Sequence, residues 1–179
     1  MKFTETKIPG VYVVDIEYAE DERGFFARTW DEQVCQDAGM SPSHLVQSST
    51  SYNPSKGTLR GMHYQKSPHT EAKVVRCTQG TIYDVAVDLR HDSPTFTKWM
   101  SVELSADNRR ALYIPEGCAH GFQSLTDDAE VLYMMSAYYH PEAATGVRYD
   151  DPAFGIEWPE MPTRIISETD RNWPDWTTP

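Results

Sequence analysis

Between turn signals the chain returns again and again to short runs of β-branched and aromatic residues, and this recurrence most restricts what it can fold into. Runs of this kind, bounded by Gly, Pro, Asn and Asp, read as antiparallel strands. The candidates are Val11 to Ile16, Gly24 to Trp30, His44 to Tyr52, Thr58 to Gln65, Ala72 to Cys77 and Thr81 to Asp88. Further on come Phe96 to Leu104, Arg110 to Ile114, Gly121 to Leu125 and Glu130 to Tyr139. Lys73 to Cys77, then Thr78-Gln79-Gly80, then Thr81 to Asp88 reads as a hairpin with Gly80 in the turn. Helix is scarce. Its best candidate is Glu32 to Ala38, with Asp31 as N-cap and Gly39 just past the end. No repeat, low-complexity tract or linker divides the sequence, and five of the twelve prolines lie beyond position 150. The expectation is an all-β fold with few short helices: a single domain over 1–179, built as a sandwich or jelly-roll barrel. An irregular C-terminal segment from about 150 would pack over it.

Composition narrows the function. With 27 Asp and Glu against 16 Lys and Arg, the net charge of −11 opposes binding to nucleic acid or to an anionic membrane. An anionic small ligand stays open, because a few arginines in a pocket can hold it against the global field. Cys35, Cys77 and Cys118 are odd in number and far apart, so neither a disulfide framework nor a zinc site is signalled. They read as small residues of a reduced protein. The start MKFTETKIPG has no apolar run after its lysine, and no stretch approaches the roughly 20 apolar residues of a membrane helix. A soluble, cytoplasmic protein is expected.

Strand alternation says which side chains face inward. Lys73 shares a face with Val75 and Cys77, which places a lysine among apolar neighbours, either at a barrel mouth or buried for a purpose. Val131, Tyr133, Met135, Ala137 and Tyr139 share another face, so two phenols look into an apolar lumen. In Arg60-Gly61-Met62-His63-Tyr64-Gln65, His63 and Gln65 share a face, and a bulge at Gly61 would turn Arg60 inward beside them. Taken singly, these tyrosines also read as core residues bonded to backbone, and the histidine as structural.

Pro115-x-Gly117-x-x-His120 matches the second cupin motif, and Gly57 with His63 six residues on matches the start of the first. In metal cupins the first motif continues as His-x-His and then Glu. Here Gln65 takes the second histidine's place. A set of His63, Gln65, Glu71 and His120 suits Fe(II) or Mn(II) poorly, so no metal and no cofactor are expected.

With these motifs the chain resembles the dTDP-4-dehydrorhamnose 3,5-epimerase family from about Ile8 to Trp176. The matching pieces are Asp21 to Phe26, Gly57 to Gln65, Lys73 to Cys77, Tyr113 to Phe122 and Asp151 to Pro159. The resemblance implies a cupin-fold isomerase that removes the proton beside the C4 ketone of a nucleotide-linked 4-keto-6-deoxysugar, with dTDP as nucleotide, and returns it on the other face. Such a site needs a base, a cation or donor at the developing oxyanion, and an opposing acid. By resemblance His63 is the base, Asp170 its orienting carboxylate, Lys73 the oxyanion partner and Tyr133 the acid. Arg23 and Arg60 would hold the diphosphate. Gln47, Ser49 and His120 would complete the binding pocket, and Phe26 and Tyr139 would pack on base or sugar. The resemblance also implies a homodimer. Arg28, Ser49, Ala144 and Thr169 stand where the family usually has Glu, Asn, Glu and Lys. Inversion at C3, C5 or both is open, and three alternatives stay beside it: a mono-epimerase, a non-catalytic sugar-binding cupin, and a metal-dependent one.

Overall fold

The computed structural model describes residues 1–177. Its strands are β1 (Lys2–Glu5), β2 (Tyr12–Asp15), β3 (Tyr18–Asp21), β4 (Gly24–Ala27), β5 (Gln47–Asn53), β6 (Leu59–Gln65) and β7 (Lys73–Gln79). They continue with β8 (Thr81–Asp88), β9 (Trp99–Ser105), β10 (Ala111–Ile114), β11 (Cys118–Ser124), β12 (Ala129–Met135) and β13 (Ala144–Gly146). Two short helices complete the chain, α1 (Glu32–Asp37) and α2 (Glu168–Arg171). One sheet has six strands in the order β1-β2-β10-β7-β12-β5, and the other has five in the order β13-β6-β11-β8-β9. All pairings between these strands are antiparallel, an isolated parallel bridge joins Thr58 to Ile165, and β3 and β4 make a separate two-stranded ribbon. The result is the all-β jelly roll of a cupin. No helix among the described residues is long and apolar enough to cross a membrane.

The inner faces meet in one cluster. Val75 and Cys77 of β7, Leu112 and Ile114 of β10 and Val131 of β12 pack on Ile82 and Ala86 of β8, Leu104 of β9 and Phe122 of β11. Phe122 is wholly buried, and each such side chain contributes roughly 1.5–3 kcal/mol of burial energy. Both outer faces are covered as well. Cys35 on α1 and Met40 just beyond it lie with Val74, Ala111 and Tyr113 behind the six-stranded sheet. Val147, Phe154, Trp158 and Trp176 from the C-terminal stretch cover Met62, Val85, Val87 and Ala119 behind the five-stranded one.

The helix expected at Glu32 is present, with the Asp31 carboxylate accepting from the Val34 amide at 3.1 Å and Gly39 at φ +91° past its end. The expected β7–β8 hairpin is not formed. Strand β7 pairs with β10 and β12, while β8 pairs with β11 and β9 in the other sheet. Gly80, at φ +72°, instead carries the chain across from one sheet to the other, and a Cβ there would meet the Thr126 Oγ1 at 2.4 Å. A glycine turn between two strand-like runs is a local signal, whereas partner choice is decided by the inward faces of distant strands. The run expected to Tyr139 stops at Met135, so alternation does not place Tyr139.

Candidate active site

A cavity of about 620 Å³ opens between the sheets, lined by β5, β6, β7, β11, β12 and α2. Its shape depends on one irregularity in β6. Opposite β11, His63 faces His120 but Arg60 faces Phe122, so Gly61 and Met62 bulge against Gly121. A Cβ on Gly61 would lie 2.5 Å from the Gly121 Cα, and the residue sits at φ +126°, where other side chains are strained. The bulge turns both Arg60 and His63 into the cavity, and the Arg60 Nε donates to Asn53 Oδ1 at 2.8 Å.

Helix α2 brings the carboxylate. The Ser167 hydroxyl caps it by accepting from the Asp170 amide at 3.1 Å, which fixes Asp170 below β6. Asp170 Oδ1 lies 2.6 Å from His63 Nε2, and Oδ2 accepts from the Gly61 amide at 3.2 Å. Burial pulls the Asp170 carboxyl upward, but the hydrogen bond and charge of His63, with the Gly61 amide, outweigh it and leave the group below its ordinary range. An imidazole donating Nε2–H to this carboxylate keeps Nδ1 as its basic nitrogen.

Lys73, 9% exposed, donates to the His63 carbonyl at 3.1 Å and pairs with Glu71 at 3.2 Å. Tyr133 meets the His120 ring edge-on at 5.9 Å. Burial, and then the Asp84 carboxylate, push its hydroxyl far above the usual phenol range, so the group stays protonated. His120 Nε2 lies 2.7 Å from Asp84 Oδ1, with both groups buried. Burial raises the Asp84 carboxyl, with His120 and Lys73 opposing. Gln47 and Ser49 line the wall on β5, and the Gln47 Oε1 accepts from the Tyr139 amide at 3.0 Å, holding Tyr139 at the rim.

Nine of the expected site residues therefore surround one cavity, and two do not. Arg23 and Phe26 stand on the β3–β4 ribbon, which belongs to neither sheet. The Arg23 side chain is 83% exposed and, among the described residues, paired only with Asp21, and Phe26 is 76% exposed. The sequence also passed over Asp84, Trp173 and the cavity-side place of Glu71 as an ion-pair partner. Asp84 shares inward parity with Ile82 and Ala86, but Val85 and Val87 are equally buried, so alternation on β8 is blurred.

The donor set does not suit a metal at the cupin position. Gln65 has its amide nitrogen on the carbonyls of His69 and Tyr138 at 3.0 and 3.2 Å and on Glu71 at 3.3 Å, and its oxygen accepts from the His140 amide. Glu71 already neutralises Lys73, and the Nε2 atoms of His63 and His120 each face an aspartate.

Comparison with known proteins places this arrangement in a family. The family model described as dTDP-4-dehydrorhamnose 3,5-epimerase matches residues 5–178. The epimerase of that name from Methanothermobacter thermautotrophicus is 44% identical over 174 residues, 96% of this chain and 92% of that protein. The crystal structure of the Elizabethkingia anophelis enzyme superposes with a TM-score of 0.95 at 38% identity, over 98% of this chain and 96% of that one. The Bacillus anthracis enzyme, solved with TDP and PPi bound, gives 0.91 at 39% identity over 98% and 99%. The chain belongs to the dTDP-4-dehydrorhamnose 3,5-epimerase family of isomerases.

Proposed function

We propose that this protein inverts C3 and C5 of a dTDP-linked 4-keto-6-deoxyhexose by way of an enolate. The observation that carries the reading is the His63–Asp170 pair at 2.6 Å, which shares a cavity with the protonated Tyr133 and the buried Lys73. In this mechanism the His63 Nδ1 takes the proton beside the ketone, and Asp170 stabilises the imidazolium that forms. The electron pair moves onto the C4 oxygen, where Lys73 meets the negative charge. A preorganised donor at that place contributes about 2.7–4 kcal/mol. Tyr133 then returns a proton from the opposite face, and the carbon is inverted. Arg60, His120, Gln47, Ser49 and Tyr139 hold the nucleotide and sugar, and no cofactor is needed.

The chain acts as one cupin domain and works as a homodimer in this reading. Two residues support the second point: Arg23 and Phe26 stand clear of their own cavity, both largely exposed. A second copy gives them a substrate to reach.

Incubation with dTDP-4-keto-6-deoxyglucose in deuterated water, with the labelled carbons mapped by NMR, tests the proposal. Deuterium is expected at C3 and C5. His63→Ala is expected to slow that exchange by about 10²–10⁴-fold with the fold intact. Exchange within tenfold of the parent rate would remove His63 as the base.

A further inference from the structure

The rim of the cavity carries a cluster that the proposed reaction does not use. His69 lies in the loop between β6 and β7, and His140 in the segment between β12 and β13. Their rings stack with centroids 3.6 Å apart and planes 19° apart. Glu142 completes the group, its Oε1 lying 3.0 Å from the His140 Nδ1 and 4.0 Å from the His69 Nε2. One nitrogen from each ring and one carboxylate oxygen all lie within 4.8 Å of one another. Tetrahedral bonds of about 2.0–2.1 Å hold ligand atoms roughly 3.3 Å apart, so the reach is right, and an ion binds once one of the stacked rings turns about its side-chain torsions to bring both lone pairs onto a common centre.

The two loops are held in place before any ion arrives. Gln65, 4% exposed, bonds the carbonyl of His69 through its nitrogen and the amide of His140 through its oxygen. The Lys66 amide reaches the Ala143 carbonyl at 3.0 Å, and the His69 amide returns to Lys66 at 2.9 Å. The histidine side chains themselves are about one third exposed, at 34% and 36%, so solutes can reach them. A net charge of −11 also favours a cation over an anion here.

We propose that His69, His140 and Glu142 bind one divalent cation of the Zn²⁺, Co²⁺, Ni²⁺ or Cu²⁺ class at the mouth of the cavity. Two imidazoles and one carboxylate prefer these ions to Mg²⁺ or Ca²⁺, which favour all-oxygen sites. A three-ligand set leaves one position for water or an anionic oxygen. Tyr139 and Pro141, on either side of His140, both line the cavity. A bound ion therefore ties the loop over 66–72 to the segment over 137–143 across the entrance, without touching His63 or Tyr133. The inference does not depend on the proposed reaction.

Isothermal titration of the full chain with zinc chloride at neutral pH, after removal of metal with a chelator, tests it. One ion per chain is expected. Both His69→Ala and His140→Ala are expected to weaken it by at least about tenfold, since even outer-shell losses cost 10–100-fold. Cobalt should give the visible absorption of a nitrogen- and oxygen-ligated tetrahedral site in the parent and lose it in either variant. Magnesium should give no heat. A melting curve in chelator checks that the variants are folded, and Glu142→Gln supplies an independent weakening should either histidine variant misfold. Absence of zinc binding up to millimolar concentration would overturn the site, as would unchanged binding in the double variant His69→Ala/His140→Ala.

Discussion

Tyr133 and His63 divide the proposed chemistry between them, and a single oxygen separates their roles. Tyr133→Phe keeps the ring against His120 and deletes the group whose proton is held tightly by burial. In the proposed mechanism the first step survives this change and the second does not. Deuterium exchange at the reacting carbon should therefore fall far less than net inversion, which should drop by about 10²–10⁴-fold. Parallel NMR measurement of exchange and of product configuration separates the two, and an equal fall in both would assign the hydroxyl to binding or to the first step. At this scale strand alternation made Lys73 and Tyr133 legible, because each sits among apolar neighbours of the same parity, while His63 stood out through the cupin motif that begins at Gly57. Asp84 was hidden because both faces of β8 are buried. Asp170 was reached only through the family resemblance. It is delivered by a four-residue helix at the far end of the sequence, and no local pattern connects it to β6.

The elements that position these side chains are vulnerable at specific points. Gly61→Ala would drive a Cβ to 2.5 Å from the Gly121 backbone in a conformation alanine resists. The bulge, and with it the inward turn of both Arg60 and His63, should be lost. Urea denaturation should show destabilisation of more than about 4 kcal/mol, or the protein should fail to fold. A second point lies where β8 ends. The buried Asp88 carboxylate takes the Arg90 guanidinium at 2.8 and 2.9 Å, the hydroxyls of Ser93 and Thr95 at 2.5 and 2.7 Å, and the Arg90 amide at 3.0 Å. Burial alone would raise its carboxyl, but these donors outweigh it and hold the group below the ordinary range. Asp88→Asn should cost about 1.5–3 kcal/mol at neutral pH. A depressed carboxyl stabilises the fold above its unfolded value near 3.9, and that contribution fades as pH falls through the folded value. The gap between parent and variant in urea midpoints should therefore close on acidification below about pH 4. Most strands were visible in the sequence as β-branched runs between turns. The pairing of β7 with β8 was misread, because Gly80 looks the same whether it closes a hairpin or crosses between sheets. The four-residue strands β1 and β3 and the three-residue β13 are too short to show a periodicity.

At the scale of the whole molecule, assembly comes first. Strand β1 ends the six-stranded sheet with an unpaired edge, and the ribbon presents Tyr18, Phe25 and Phe26 to solvent. An open edge and an exposed aromatic group both invite a second copy. Light scattering at micromolar concentration should give twice the mass of one chain, and a monomer would remove the dimer reading. The second matter is order in time. The contacts of Asp170 with His63 and Gly61 span 107 and 109 residues, farther along the chain than any other side-chain hydrogen bond among the described residues. A four-residue helix has little structure of its own before it docks. The His63 ring therefore gains its carboxylate partner only when α2 docks on β6. In the proposed mechanism, competence for proton transfer waits on that docking.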